Sequence, residues 1–524
     1  MTAEMHPSRW GDPAAAAPLP DTARELVRLA FGDLPAPAAE ASGSRIAASA
    51  IDEDLLDGLR RIVGAEHVLI DDDLRRRRTR GKSTPDLLRN RAGDFAEAPD
   101  AVVRPADHDQ VQALVAYAAA HRVAVVPFGG GTCVTGGLAA RRDGLAGLVS
   151  LDLGRMTALR DVDPVSMTAT LEPGLRGPEA EALLAGHGLT LGHFPQSFEF
   201  ATIGGFAATR SSGQASAGYG RFDGMVVGLT AATPAGELRL GTAPASAAGP
   251  DLRQLLLGSE GALGVITSVT VRVRRAPEAT VHEGWRWACF ADGVAAARTL
   301  AQAGLLPTVL RLSDETETAV NLADPDALGG ADGVGGCLMI TGYEGTAEAV
   351  AARRAAVTAV LSGLGGTPAG EEPGRAWEQG RFHAPYLRDA LLDEGVLVET
   401  LETATFWSGL ESLHAEVTGA LTGALDGALV LCHVSHVYET GASLYFTVAA
   451  RQAADPLAQW QAAKAAASDA IRAAGATITH HHAVGTDHRQ WYADEIGPVG
   501  VLALRAVKDA LDPAGVLNPG VLVP

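Results

Sequence analysis

The sequence predicts an α+β protein of more than one domain, and three observations carry that expectation. At 524 residues the chain exceeds what one hydrophobic core organises. Residues 97–275 alternate between strand-like apolar runs and helical periodicity, broken by glycine-rich loops. From residue 276 strand candidates interleave with helix candidates, as suits an antiparallel sheet covered by helices on one face. With 47% hydrophobic and 20% charged residues, the composition is that of a soluble globular protein. The net charge of −20 argues against a nucleic-acid partner. Cys133, Cys289, Cys337 and Cys432 show no CxxC spacing, so neither a metal site nor a disulfide framework is expected, and a cytoplasmic location is. There is no apolar run of about 18 residues, so no membrane-spanning helix is expected. The N-terminus lacks the basic-then-apolar pattern of a signal peptide.

Taken in order, residues 1–50 are rich in Ala and Pro and read as extended or mobile, with one helix at Thr22–Phe31. Ile51–Val63 reads as a helix. The charge block from Asp71 to Arg78, followed by Thr79–Leu88, fits either a solvated face or a basic lining near an anionic ligand. Asp107 is a plausible N-cap for a helix reaching Arg122, because Val111, Leu114, Val115 and Ala118 recur at helical spacing. Val123–Val126 then reads as a buried parallel strand. It leads into Pro127-Phe128-Gly129-Gly130-Gly131-Thr132-Cys133-Val134-Thr135-Gly136-Gly137. Glycine permits positive φ and close approach, and successive N–H groups can converge on an anion. The loop is therefore either a diphosphate cradle or a flexible surface turn.

Strands are expected at Gly147–Leu151 and Met167–Glu172, and a helix at Pro178–His187 stopped by Gly188. His193–Gly220 reads as a long irregular stretch. Met225–Thr233 and Glu237–Leu240 form a hairpin around Pro234-Ala235-Gly236. A second glycine-rich loop, Gly258–Gly264, precedes a strand at Val265–Arg274. The second half offers strands Thr308–Leu312, Cys337–Gly342, Ala428–Tyr438 and Ala442–Ala449. Its helices are Gly293–Ala303, Glu348–Gly363, Phe406–Leu421 and Asp455–Ala474. Ala476–Thr479 is strand-like, and a last helix, Pro498–Leu511, precedes a Pro/Gly-rich tail.

A Rossmann reading fails, since no helix follows Gly129–Gly131 in frame and no acidic residue suits a ribose. A Walker loop fails because no GK[ST] follows the glycines. What remains is a diphosphate held by three separate loops, 127–137, 196–213 and 258–266.

Those loops carry a resemblance. Pro127–Gly137, Thr202-Ile203-Gly204-Gly205, Thr209-Arg210-Ser211-Ser212-Gly213 and Gly258–Thr267 are similar to the FAD-binding loops of the vanillyl-alcohol oxidase type flavoproteins. Within them the chain most resembles the alkyldihydroxyacetonephosphate synthase family, through Gly192–Thr202, Arg311-Leu312, Tyr386–Asp389, Gly441–Phe446 and His480–Gly485. The resemblance implies a two-subdomain FAD-binding domain of the p-cresol methylhydroxylase (PCMH) type at 97–276, after an N-terminal segment (1–50) and a helical region (51–96). It further implies an α+β cap with an antiparallel sheet at 277–485 and a C-terminal segment, 486–524, returning to the FAD domain.

It also implies roles. FAD is expected noncovalently at Pro127, Phe128, Gly129, Gly130, Gly131, Thr132 and Cys133. The second loop adds Gln196, Ser197, Thr202, Gly204, Gly205, Thr209, Arg210, Ser211 and Ser212. The third adds Glu260, Gly261, Ala262, Leu263, Gly264, Val265 and Ile266. Tyr445, His480, His481, His482 and Arg311 are expected to be catalytic, Arg388 to hold a phosphate, and no metal to be bound. Three adjacent histidines are by themselves also a metal motif or a surface feature, and in an extended segment at most two of them face one site. The implied reaction exchanges the acyl group of acyl-dihydroxyacetone phosphate for a fatty alcohol through attachment of the substrate carbon to flavin N5. A lipid-like small-molecule substrate, a homodimer and a peripheral membrane contact accompany it.

The chain departs from the family at Ala262 (Thr expected), Gln196 (Asp expected), His433 and His436. Its Asp512–Gly520 tail is more similar to flavin-dependent hydroxy-acid dehydrogenases, so oxidation of a 2-hydroxy acid or alcohol is the alternative. The Gly-Asp-Gly-Asn-x-His metal segment of those dehydrogenases is absent. A flavin-binding scaffold without activity is the third reading.

Overall fold

The computed structural model describes residues 4–16, 19, 21–34, 40–41, 45–139, 141–321 and 336–524. Its α+β architecture agrees with the sequence. A four-stranded sheet orders Val68–Leu69, Ala101–Val103, Gly147–Asp152 and Val123–Phe128, the last three parallel. The helix His108–His121 supports it, capped by Asp107, whose side chain accepts from the Gln110 N–H. Its buried residues are Val111, Leu114, Val115 and Ala118, the positions the spacing selects. A five-stranded antiparallel sheet orders Gly236–Leu240, Val226–Thr233, Val265–Arg272, Thr168–Leu171 and Leu159–Asp163.

The third sheet is antiparallel and orders Thr367–Gly370, Ala279–Trp287, Cys337–Gly345, Val309–Ser313, Leu429–Val437, Gly441–Arg451 and Val396–Phe406. Strand alternation sorts its side chains. Leu444, Phe446, Val448 and Ala450 enter the core shared with helices Phe290–Gln302, Ala347–Gly363, Leu410–Ala424 and Pro456–Ala473. Tyr445, Thr447 and Ala449 turn the other way, onto a cavity. Leu431 and His433 do the same on the next strand, and Val309 and Arg311 on the one beyond it. One sheet therefore builds a core on one face and a chemical surface on the other.

Several expectations need correction. Residues 193–220 are not wholly irregular: Thr202 caps a helix, Ile203–Thr209. The helix read as Pro178–His187 ends at Ala185, and Gly188 takes its positive φ beyond that end. Strands Ala279–Trp287 and Val396–Phe406 add to the expected set; Glu283, Glu399 and Glu402 interrupt their apolar pattern. Phe406 closes a strand instead of opening a helix. Ala476–Thr479 is not a strand; only Thr477 bridges to Ala404. The charge block is not a solvated face either, since Arg75, Arg78, Arg80 and Lys82 are buried. Arg78 is ion-paired to Asp152 at 2.9 Å and stacks 4.5 Å over Phe128, in the first glycine loop. Residues 4–12 are tied down: Glu4 makes a bidentate pair with Arg78, and Trp10 packs edge-on against Phe200.

Candidate active site

The three glycine-bearing loops and the open face of the antiparallel sheet enclose one cavity of about 1120 Å³. Small-molecule sites are typically ~300–1,000 Å³, so the space suits a dinucleotide together with a chain-bearing substrate. Glycine is required on the loop side. A Cβ on Gly130 would stand 2.0 Å from the Phe200 carbonyl oxygen, and one on Gly129 2.3 Å from Thr202 Oγ1. Gly131 has φ +70°. Among the described residues the amides of Gly130, Gly131 and Thr132 meet no protein acceptor. Three consecutive unpaired N–H groups on a cavity wall form a cradle for a diphosphate. Gln196 Nε2, Ser259 Oγ and Glu260 Oε1 are also buried without partners. The donor set and the shape fit FAD.

Most of the expected cofactor residues line this cavity: Pro127 to Cys133, Gln196, Ser197, Thr202, Gly204, Gly205, Thr209, Ser211, Ser212, Glu260, Gly261, Gly264 and Ile266. Four do not. Arg210 takes φ +51° and donates to the Leu257 and Gln254 carbonyls, so it braces the loop from behind. Ala262 packs with Val484, Val521 and Leu522, while Leu263 and Val265 belong to two other cores. The C-terminal segment returns here: Asn518 Nδ2 donates to the carbonyls of Gly137 and Glu260, joining two loops.

On the opposite wall stand Tyr445, Arg311, His433, His436, His481, His482 and Arg388. Tyr445 stacks on His433 at 4.9 Å between ring centroids and meets His482 edge-on at 5.5 Å. Burial is the main cause that pushes its phenol up to about 12, against the Thr400 hydroxyl, so the group stays protonated. Arg311 donates to His433 Nε2 at 2.9 Å and to Glu317 at 2.8 Å; His433 Nδ1 lies 3.1 Å from the same Glu317 oxygen. The arrangement requires His433 to carry its proton on Nδ1. Burial opposes the Glu317 charge, but Arg311 and His433 hold the carboxyl down at about 2. Arg388 donates to the Lys82 carbonyl at 2.6 Å and to Asp389 at 3.3 Å, and its buried Nε has no partner among the described residues.

His480, His481 and His482 are held by a residue the sequence did not single out. Glu402, 2% exposed, accepts the backbone N–H groups of all three at 2.7, 3.1 and 2.9 Å, and the Thr479 hydroxyl at 2.5 Å. Burial acts against its charge; His481, His482 and His480 hold the carboxyl well below the usual range. The turn aims His481 and His482 into the cavity and leaves His480 behind them, 2.5 Å from the Tyr438 hydroxyl. His436 also reaches the cavity, because the register shifts between Val434 and Val437 and re-aims it. Period-two spacing from His433 would have turned it toward the helices. Glu402 had one sequence signal, its place at the same strand parity as Val396 and Val398, which also line the cavity; Glu317 sits in the short helix Glu315–Asn321 and had none.

The cavity has an apolar end. Val27 and Phe31, from the helix Asp21–Phe31, pack against Val396, Val398, Leu391, Leu429 and Ala449.

Burial lowers the pKa of His193 and His482 to about 3 and of His488 to about 4, and sends His436 and His480 well below 6.5. Each titrates lower in the folded chain than in the unfolded one, so the unfolded chain takes up protons first as pH falls below 6.5. Stability that is complete above pH 6.5 is therefore lost below it. Glu260, pushed up to about 7 by burial, offsets one of the five. Glu402 and Glu317, both held below 4.5, extend the loss under pH 4.5. Urea midpoints are expected to fall steadily from pH 7 to pH 5; a flat profile would contradict this assignment.

Comparison with known proteins agrees with this geometry. Residues 99–241 match the family model of an FAD binding domain, and residues 276–522 that of the C-terminal domain of FAD linked oxidases. An alkyldihydroxyacetonephosphate synthase of Dictyostelium discoideum is 34% identical over 480 residues, 87% of this chain and 78% of that one. The protein of the same name from Trypanosoma brucei brucei is 32% identical over 509 residues, 92% of this chain and 82% of that one. A solved structure of an alkyldihydroxyacetonephosphate synthase superposes with a TM-score of 0.83 at 29% identity, covering 98% of each chain.

Proposed function

The chain belongs to the alkyldihydroxyacetonephosphate synthase family of FAD-binding flavoproteins, and from that premise we propose that it exchanges the acyl group of acyl-dihydroxyacetone phosphate for a fatty alcohol. The exchange forms an ether without net redox change. What supports the reading is one cavity holding a diphosphate cradle, a proton-handling pair, a free guanidinium nitrogen and an apolar end.

FAD, when bound, supplies ring nitrogen N5 as the nucleophilic partner of the carbon whose substituent is exchanged. The amides of Gly130, Gly131 and Thr132, with the hydroxyls of Ser197 and Thr202, would hold its phosphates. Arg388, through its unpartnered Nε, takes the substrate phosphate. The ketone acidifies the proton on the carbon bearing the acyl ester. His482, kept neutral by burial, accepts that proton and later returns it. Tyr445, kept protonated, gives its proton to the departing carboxylate and recovers one from the entering alcohol. Val27, Phe31, Val396 and Val398 take the hydrocarbon chain.

The test uses the FAD-loaded protein. It is given acyl-dihydroxyacetone phosphate with a labelled long-chain alcohol and, separately, a panel of 2-hydroxy acids and alcohols with a dye acceptor. Labelled ether without dye reduction is expected. Dye reduction without ether would replace this reading with an oxidase or dehydrogenase, and silence in both would leave a flavin-binding scaffold.

Two further outcomes follow from the site. No histidine stands in the first glycine loop, and burial, followed by the Glu260 charge, pushes the Cys133 thiol up to about 12, so it is no nucleophile. Acid precipitation should therefore release all yellow colour to the supernatant; colour in the pellet would show a covalent bond. Arg388→Ala should raise KM for the phosphate substrate about 10- to 150-fold, the loss of one charge-assisted hydrogen bond of ~1.5–3 kcal/mol. FAD content should be unchanged, and its parallel loss would mean that Arg388 serves the cofactor side.

A further inference from the structure

His436, His480 and His481 form a cluster of three imidazoles beside the proton-handling pair. Each offers one ligating nitrogen, and the three atoms lie within 4.8 Å of one another. The ring centroids stand 5.0 Å (His436–His480), 4.9 Å (His436–His481) and 5.3 Å (His480–His481) apart. Three imidazoles sharing a tetrahedral ion at ~2.0–2.1 Å would place their centroids roughly 5.2 Å apart and their ligating nitrogens roughly 3.4 Å apart. The rings already have that spacing, and Nδ1 of His480 lies 3.0 Å from Nδ1 of His481.

The outer nitrogens of His436 and His480 are tethered as those of metal-bound histidines usually are. His436 Nδ1 contacts the hydroxyls of Ser212 at 2.9 Å and Ser216 at 2.6 Å, which leaves Nε2 for a ligand. His480 Nε2 is held by the Tyr438 hydroxyl at 2.5 Å, which leaves Nδ1. The Glu402 carboxylate lies 3.4 Å from His481 Nδ1 and supplies a counter-charge. Arg221, whose guanidinium donates to the His480 carbonyl, is neutralised by Asp223 at 2.6 Å. His436 and His481 both line the cavity, so a fourth coordination position would open onto it.

We propose that His436, His480 and His481 bind a divalent transition-metal ion of the zinc class, with its open position facing the cavity. Three imidazoles without carboxylate oxygens select such an ion over calcium or magnesium. The ion would take His481 out of proton transfer and leave that work to His482 and Tyr445. It would also put a Lewis acid where a substrate oxygen can reach it.

FAD-loaded protein is stripped with a chelator, equilibrated with zinc and dialysed. Metal per chain is then measured by mass spectrometry, and crystals are examined by anomalous scattering at the zinc edge. About one zinc per chain is expected, with the anomalous peak among the three rings. His436→Asn and His480→Asn should each lower retained zinc at least about tenfold without changing FAD content. Uptake below about 0.1 per chain, a peak elsewhere, or full retention in both variants would overturn the proposal. If the variants do not fold, uptake and peak position in the unaltered protein decide. Because the readout is metal and not activity, this site and the proposed reaction can fail independently.

Discussion

Tyr445→Phe is expected to lower kcat for ether formation by about 100- to 10,000-fold, the range for loss of a positioned acid–base group. The substitution removes only the hydroxyl. The ring keeps its stack on His433 at 4.9 Å and its place between core-facing Leu444 and Phe446, so FAD content and melting temperature should change little. The phenol carries the effect because burial keeps it protonated at about 12, beside an imidazole that burial keeps neutral at about 3. A donor and an acceptor thus face the same space at neutral pH. Steady-state kinetics on the FAD-replete variant checks this; residual activity above about a tenth would remove Tyr445 from proton transfer.

Glu402→Ala is expected to destabilise the protein by about 3–5 kcal/mol, the usual cost of removing one member of a buried charged cluster. Its carboxylate is the acceptor for the N–H groups of His480, His481 and His482 and for the Thr479 hydroxyl. Without it, the three N–H groups and the hydroxyl lose their acceptor, at ~1–3 kcal/mol for each that stays buried. The turn that aims His481 and His482 should then relax, and activity should fall with stability. Equilibrium unfolding in urea measures the first effect. A change below about 1 kcal/mol would mean that the turn holds itself.

The sequence made the loops legible and left their opposition obscure. Five glycines close together after Val126 announce a backbone that something must approach, and Gly130 against Phe200 bears that out sterically. Tyr445 could be placed on a cavity face by period two alone, given apolar Leu444 and Phe446. His436 could not, because a register shift reverses its parity. Glu402 was hidden because a carboxylate in a strand reads as solvent-facing until its partners, 78 to 80 residues onward, are brought to it. The arginines after Asp73 are ambiguous for a related reason. Arg78 is buried by Asp152 and Glu4, both distant in sequence, so composition alone left a solvated face and a basic lining both open. Local pattern gives the elements; the site is made of long-range pairs that local pattern does not contain.

The central claim is that the carbon–oxygen bond to the carboxylate is exchanged for one to the alcohol, with the carbon skeleton and its oxidation state unchanged. Supplying the FAD-loaded protein with acyl-dihydroxyacetone phosphate and an ¹⁸O-labelled long-chain alcohol tests it directly. The account predicts that the label appears wholly in the ether product and that the released fatty acid is unlabelled. Label recovered in a fatty ester, or an ether lacking the label, would contradict it.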